Sequence, residues 1–171
     1  MSAARREALL QAFASYCAAD SRDDEAASRF RRFVQRADPF RRNDPDGHVT
    51  ASAVVARSGN VAGTGPAGLH PPQNFEFLLV FHRKLDRWLQ PGGHVEPDDA
   101  SVFETAVREA REESWPSFEL SWPPFAQRTP AANSPLAPGA AWFTRAAVEP
   151  ADSDGSLSRA VRKAVARLDA P

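Results

Sequence analysis

Hydrophobic and polar positions along the chain follow two alternating periods. Between residues 3 and 19, Leu9, Leu10, Phe13, Tyr16 and Cys17 recur at helical spacing on an Ala-rich background, which places Cys17 on the apolar side as a packing residue. A second helical run starts at Ser21, with Asp24 three residues on as its cap signal. It carries Ala26, Phe30, Phe33, Val34 and Ala37 until Pro39 ends it. From His48 to Ala56 the period shortens to two: Val49, Ala51, Ala53 and Val55 alternate with Thr50 and Ser52, as in a half-buried strand. Phe75 to His82 is almost continuously apolar and reads as a central strand. Helical spacing returns at Phe103, Ala106, Val107 and Ala110, and again in a last helix capped by Ser156, with Leu157, Ala160, Val161, Ala164 and Leu168 on one face. Phe118-Glu119-Leu120 and Ala140 to Thr144 are shorter strand candidates.

The connections add punctuation. Ser58 to Gln73 is rich in Gly and Pro and has no lysine, which argues against a phosphate-cradling P-loop. Arg83, Lys84, Asp86 and Arg87 form a charged turn, and six prolines between Pro116 and Pro138 leave that stretch poor in strand signals. Composition changes this picture little. At 171 residues, with 42% hydrophobic and 25% charged residues, the chain suits one globular unit. A net charge of −1 gives no bulk attraction to nucleic acid or to an anionic membrane. One cysteine excludes an intrachain disulfide and a thiolate metal site. No apolar run approaches a membrane span, and Met1 to Glu7 is followed by no secretory apolar region, so the expected location is the cytoplasm.

The candidate chemistry lies between Gln90 and Glu113. Gln90-Pro91-Gly92-Gly93-His94-Val95-Glu96 reads as a glycine turn, and Ser101-Val102-Phe103-Glu104 fits a capping box that starts a helix near Ser101. On that helix Glu109, Glu112 and Glu113 span an arc of roughly 100°, with the apolar stripe centred about 120° away. Carboxylates so spaced repel one another by a few tenths of a kcal/mol per pair. A divalent cation bound among them would reverse the sign.

Gly93, Asp99, Arg108, Glu109, Glu112 and Glu113 together resemble the Nudix box, a Gly-led loop followed by Arg-Glu-x-x-Glu-Glu on a helix. Two features depart from it. Eight residues separate Asp99 from Arg108 where the box has seven, and Trp115, followed by Pro116, stands where a closing glycine is expected. The His-x-Thr-Ala-Ser strand at His48 and the run Trp88 to His94 are similar to one subgroup of Nudix proteins, and the resemblance covers roughly residues 20 to 115.

The resemblance implies an α/β/α sandwich with a mixed β-sheet, preceded by two N-terminal helices, while the proline-rich stretch after the box helix points to a shortened sheet. It divides the chain into a helical extension, 1–40, and a Nudix domain, 45–171. It implies hydrolysis of a phosphoric anhydride, the pyrophosphate linkage of a nucleoside diphosphate derivative, with Mg²⁺ or Mn²⁺. Glu109, Glu112, Glu113 and the Gly93 carbonyl would hold metal; Glu112 or Glu113 would act as base, and Arg108 would orient a glutamate. Arg83, Arg87, His94 and Glu96 are candidates for substrate binding, with Lys84 beside them, and Asp99 for orienting the loop. Trp88, Trp115, Trp122 and Trp142 are either base-stacking platforms or core. The expected partner is a small nucleotide derivative rather than nucleic acid, with homodimerisation allowed. The alternative reading is a Nudix-fold protein impaired in catalysis that binds a nucleotide or a protein partner, motivated by the altered end of the box.

Overall fold

The computed structural model describes residues 2–14, 16–18, 20–58, 75–114, 138–152 and 155–168. It is an α/β fold whose chain forms two compact units, Met1–Ala51 with Gly92–Ala106, and Ser52–Pro91 with Val107–Pro171.

The first unit opens with helices α1 (Ser2–Ala14) and α2 (Ser21–Val34), as the helical spacing predicts. The cap of α2 sits one residue earlier than the sequence signal suggests. Asp20 Oδ1 accepts the Asp23 amide at 2.8 Å, because the first turn's free N–H groups lie within reach of a short side chain at that position. Asp20→Ala is expected to cost about 1 kcal/mol, measured by urea unfolding. The C-terminus of α1 is closed from its neighbour: Arg31 Nη2 donates to Phe13 O at 2.8 Å, and Phe13 stacks on Phe30 with centroids 5.0 Å apart. Val34, Phe40, Val49 and Val95 form the buried centre, flanked by Leu9, Leu10, Phe30, Phe33 and Val102. Cys17 lies beyond the end of α1 and is exposed, not on a packed face.

The alternating run at His48 divides into two strands. β1 (Thr50–Ser52) pairs with β5 (Gly92–His94), whereas β2 (Ala56–Ser58) pairs antiparallel with β3 (Phe75–His82). The alternation itself is kept, with Val49, Ala51 and Val55 buried. What it could not reveal is the change of partner, since strand pairing is set by residues distant in sequence. Gly92 and Gly93 stand inside β5, so the glycine pair is extended strand and not a turn. The glycines with positive φ are Gly47, Gly139 and Gly155 among the described residues.

In the second unit β3 is central. It pairs antiparallel with β2 at one end, with β4 (Arg87–Leu89) at the other, and with β6 (Ala140–Thr144) along most of its length. Its alternate residues separate two layers. Phe77 and Leu79 pack with Val148 of α4 (Arg145–Ala151) and with Leu157, Val161 and Val165 of α5 (Ser156–Leu168). Leu78 packs instead with Val55 and with Ala110 of α3 (Val102–Ser114). Helices therefore cover both faces of this sheet. In the first turn of α5 the Ser158 amide donates to Asp152 Oδ2 at 2.7 Å. Trp88 lies edge-on to Phe81 and Phe143, at centroid distances of 5.4 and 4.9 Å, and is a core residue. Trp142 lies under the Arg57 guanidinium at 4.2 Å, and Arg57 is held in turn by Glu76 at 2.7 Å. Trp115, Trp122, the loop after Ser58 and the strand candidate at Phe118 lie outside the described residues.

Candidate active site

The helix that carries the acids begins where the capping box places it. Ser101 Oγ accepts the Glu104 amide at 3.1 Å, and Glu104 Oε2 accepts the Ala100 amide at 2.8 Å, one residue before the position a capping box normally uses. Asp99, 7% exposed, organises the turn before it. Its Oδ2 accepts the Glu96 amide and the Thr105 hydroxyl, each at 2.9 Å, so one buried carboxylate ties the loop to the first turn of α3. This is the loop-orienting role expected of Asp99. The Thr105 hydroxyl is the partner the sequence did not reveal; a threonine four residues after a helix cap gave no signal by itself. Thr105→Val removes one of the two hydrogen bonds that Asp99 Oδ2 accepts in a buried setting, and is expected to cost about 1–3 kcal/mol in a denaturant titration.

The rotation of α3 differs from the one its pattern suggests. Phe103 is 46% exposed, while the small residues Thr105, Ala110 and Ser114 are buried. Small side chains let a helix approach its support closely, where a phenylalanine ring would hold it away. That rotation divides the three acids. The Glu109 side chain is only 14% exposed and Glu113 is half-buried, while Glu112 is 59% exposed. The acids thus do not share one solvated face. Arg108 Nη1 bridges two of them, donating to Glu109 Oε1 at 2.9 Å and to Glu112 Oε2 at 3.3 Å. The exposed half of this bridge contributes little stability, at most about 0.5 kcal/mol. Its effect is positional, because it holds two carboxylates of α3 on one guanidinium.

The remaining candidates are distributed between the units. Gly93, His94 and Glu96 fall in the first, Arg83, Arg87, Arg108 and the three glutamates in the second. Glu96 Oε1 is paired with Arg42 Nη2 at 2.7 Å. Arg83 is exposed in the β3–β4 turn and Arg87 opens β4 opposite His82. His94 stacks on His48, centroids 4.8 Å apart and rings inclined by 19°, and His48 Nε2 is buried without a hydrogen-bond partner among the described residues.

Comparison with known protein families matches the NUDIX domain over residues 65–160. The chain belongs to the Nudix family. The match reaches well past Trp115, so the Nudix domain continues through the proline-rich stretch where sequence patterning alone fades. No curated protein matches the chain.

Nudix proteins as a family are pyrophosphohydrolases that act on phosphoric anhydrides and generally use divalent metals. The donor chemistry of α3 suits such an ion: carboxylate oxygens are hard ligands of the kind that hold Mg²⁺. Among the described residues no three His, Cys, Asp or Glu side chains converge into a ready metal cluster. Glu109 and Glu112 are drawn instead to Arg108, a cation supplied by the chain itself. No helix among the described residues is long and apolar enough to cross a membrane.

Proposed function

We propose that this Nudix protein is a Mg²⁺- or Mn²⁺-dependent hydrolase that cleaves the pyrophosphate linkage of a nucleoside diphosphate derivative. The observation that carries this reading is the inward, Arg108-held carboxylate of Glu109, with Glu112 beside it on the same helix. A mostly covered carboxylate with a like charge next to it on its own helix is costly in a structural helix and useful where a cation has to be captured. In this reading Glu109, Glu112 and Glu113 hold the metal, and Glu112 or Glu113 removes a proton from the attacking water. Arg108 keeps Glu109 in place by a charge-assisted hydrogen bond. The metal, when bound, neutralises pyrophosphate charge and acidifies water. Arg83, Arg87 and His94 are assigned to substrate phosphate, and Glu96, the fourth substrate-binding candidate, carries an ion pair with Arg42. Residues 1–40 form an extension to a catalytic domain of 45–171, and a cytoplasmic location suits a nucleotide substrate.

The test is a panel of nucleoside diphosphate derivatives incubated with Mg²⁺, with monophosphate products measured. Release from at least one compound, lost on omission of metal, is the expected result. The impaired-enzyme reading rests on Trp115 in place of the closing glycine and on the extra residue before Arg108. Tight nucleotide binding with no product, in Mn²⁺ as well as Mg²⁺, would replace the first reading by that one.

A further inference from the structure

A cavity of about 460 Å³ opens between α4 and α5, floored by the buried side chains of Val148 and Val161. Those valines pack with Phe77 and Leu79, whereas Ala110 of α3 packs with Leu78. The sheet therefore stands between this cavity and the acids of the box. A volume of several hundred Å³ is that of a small-molecule site. Its polar lining comes in two pairs, each spaced by four residues: Arg145 and Glu149 on α4, Ser158 and Arg162 on α5. Residues four apart share a helix face, so each helix turns one polar face to the cavity.

Arg145, Glu149 and Arg162 are exposed at the mouth, and Ser158, 9% exposed, lies within. Among the described residues neither guanidinium has an ion-pair or hydrogen-bond partner, although Arg145 and Glu149 stand at a spacing where such pairs form. The Ser158 hydroxyl has no partner there either; only its amide is taken, by Asp152. Covered polar groups are almost always hydrogen-bonded, and a hydroxyl left over beside two unmet cations is a set of donors for an anion.

We propose that this cavity is a second binding site, separate from α3, for a small sugar phosphate. Arg145 and Arg162 take the phosphate, for which the guanidinium fork is the matching donor, and Ser158 donates to it. Glu149 repels a bare phosphate but accepts from a hydroxyl beside one, which selects a hydroxylated ester over the free ion. Val148 and Val161 meet the carbon skeleton. The site does not depend on hydrolysis at α3.

The full chain, stripped of divalent metal over a chelating resin, is titrated calorimetrically with ribose 5-phosphate and with inorganic phosphate. The parent is expected to bind the ester more tightly than the ion. Arg145→Gln and Arg162→Gln should each weaken the ester at least about tenfold, the equivalent of one charge-assisted hydrogen bond. Both positions are exposed, so the thermal midpoint should move by no more than about 2–4 °C. Ser158→Ala should weaken binding in the same direction. Glu149→Gln should tighten inorganic phosphate and erase the preference for the ester, an effect that a merely structural role would not give. Glu109→Gln, across the sheet, should bind as the parent does. A parent that binds neither probe at millimolar concentration overturns the proposal, as does equal binding by the parent and both arginine variants. Binding lost in Glu109→Gln and kept in the arginine variants would place the ligand at α3 and overturn it as well.

Discussion

Glu109→Gln is expected to lower turnover by at least about 100-fold while leaving the metal-free protein as stable as the parent or slightly more so. Each tenfold in rate corresponds to about 1.4 kcal/mol of barrier, and a metal supplies several kcal/mol of charge stabilisation in such reactions. Glutamine preserves the shape of Glu109 and its capacity to accept from Arg108, but removes the charge that attracts the cation. The stability side has the opposite sign. Glu109 stands three and four residues before Glu112 and Glu113, so neutralising it relieves repulsion worth a few tenths of a kcal/mol per pair, which offsets the charge lost from its pair with Arg108. Steady-state kinetics beside thermal unfolding without metal separates the two effects. A variant that loses activity because it unfolds would contradict the assignment.

The second large effect concerns the sheet. Phe77 is 1% exposed and sits in the layer formed with α4 and α5. Phe77→Ala is expected to cost about 3–5 kcal/mol, a large part of the roughly 5–15 kcal/mol by which a domain is stable. Leu78→Ala, on the opposite face against Ala110, should cost about 2–5 kcal/mol. The second substitution also removes the apolar support behind the helix that carries the acids. Restored stability at low temperature should return full activity to Phe77→Ala, while Leu78→Ala should remain impaired. Denaturant midpoints together with metal-dependent turnover check both. Equal recovery of the two variants would show that support under α3 does not matter to the site.

What the chain reveals about itself depends on how local each determinant is. β3 and β6 occupy the residues their apolar runs predict, and α3 starts where Ser101 and Glu104 say it should, because these signals act over a few neighbouring residues. The division of the His48 run into β1 and β2 was illegible, since alternation records burial but not the identity of the partner strand. α4 was missed because it has seven residues and includes Pro150, which reads as a break. The site divides in the same way. That Arg108 can reach Glu112 follows from helix geometry alone. That Glu109 turns inward and Phe103 outward follows from close packing of Thr105, Ala110 and Ser114, a tertiary preference that outweighs the apolar stripe. Arg5 Nη1 donates to Glu96 O and Arg42 Nη2 to Glu96 Oε1, contacts that join residues more than fifty positions apart, and no spacing rule announces them.

Capture of a divalent cation by the carboxylates of α3 underlies the proposed activity. Mn²⁺ titration followed by electron paramagnetic resonance measures this directly, because bound ion loses the sharp signal of the free ion. The parent is expected to remove the signal of at least one equivalent of Mn²⁺, and Glu109→Gln combined with Glu112→Gln to bind it at least about tenfold more weakly. Equal binding by parent and double variant, or a parent that leaves the free-ion signal unchanged, would contradict it.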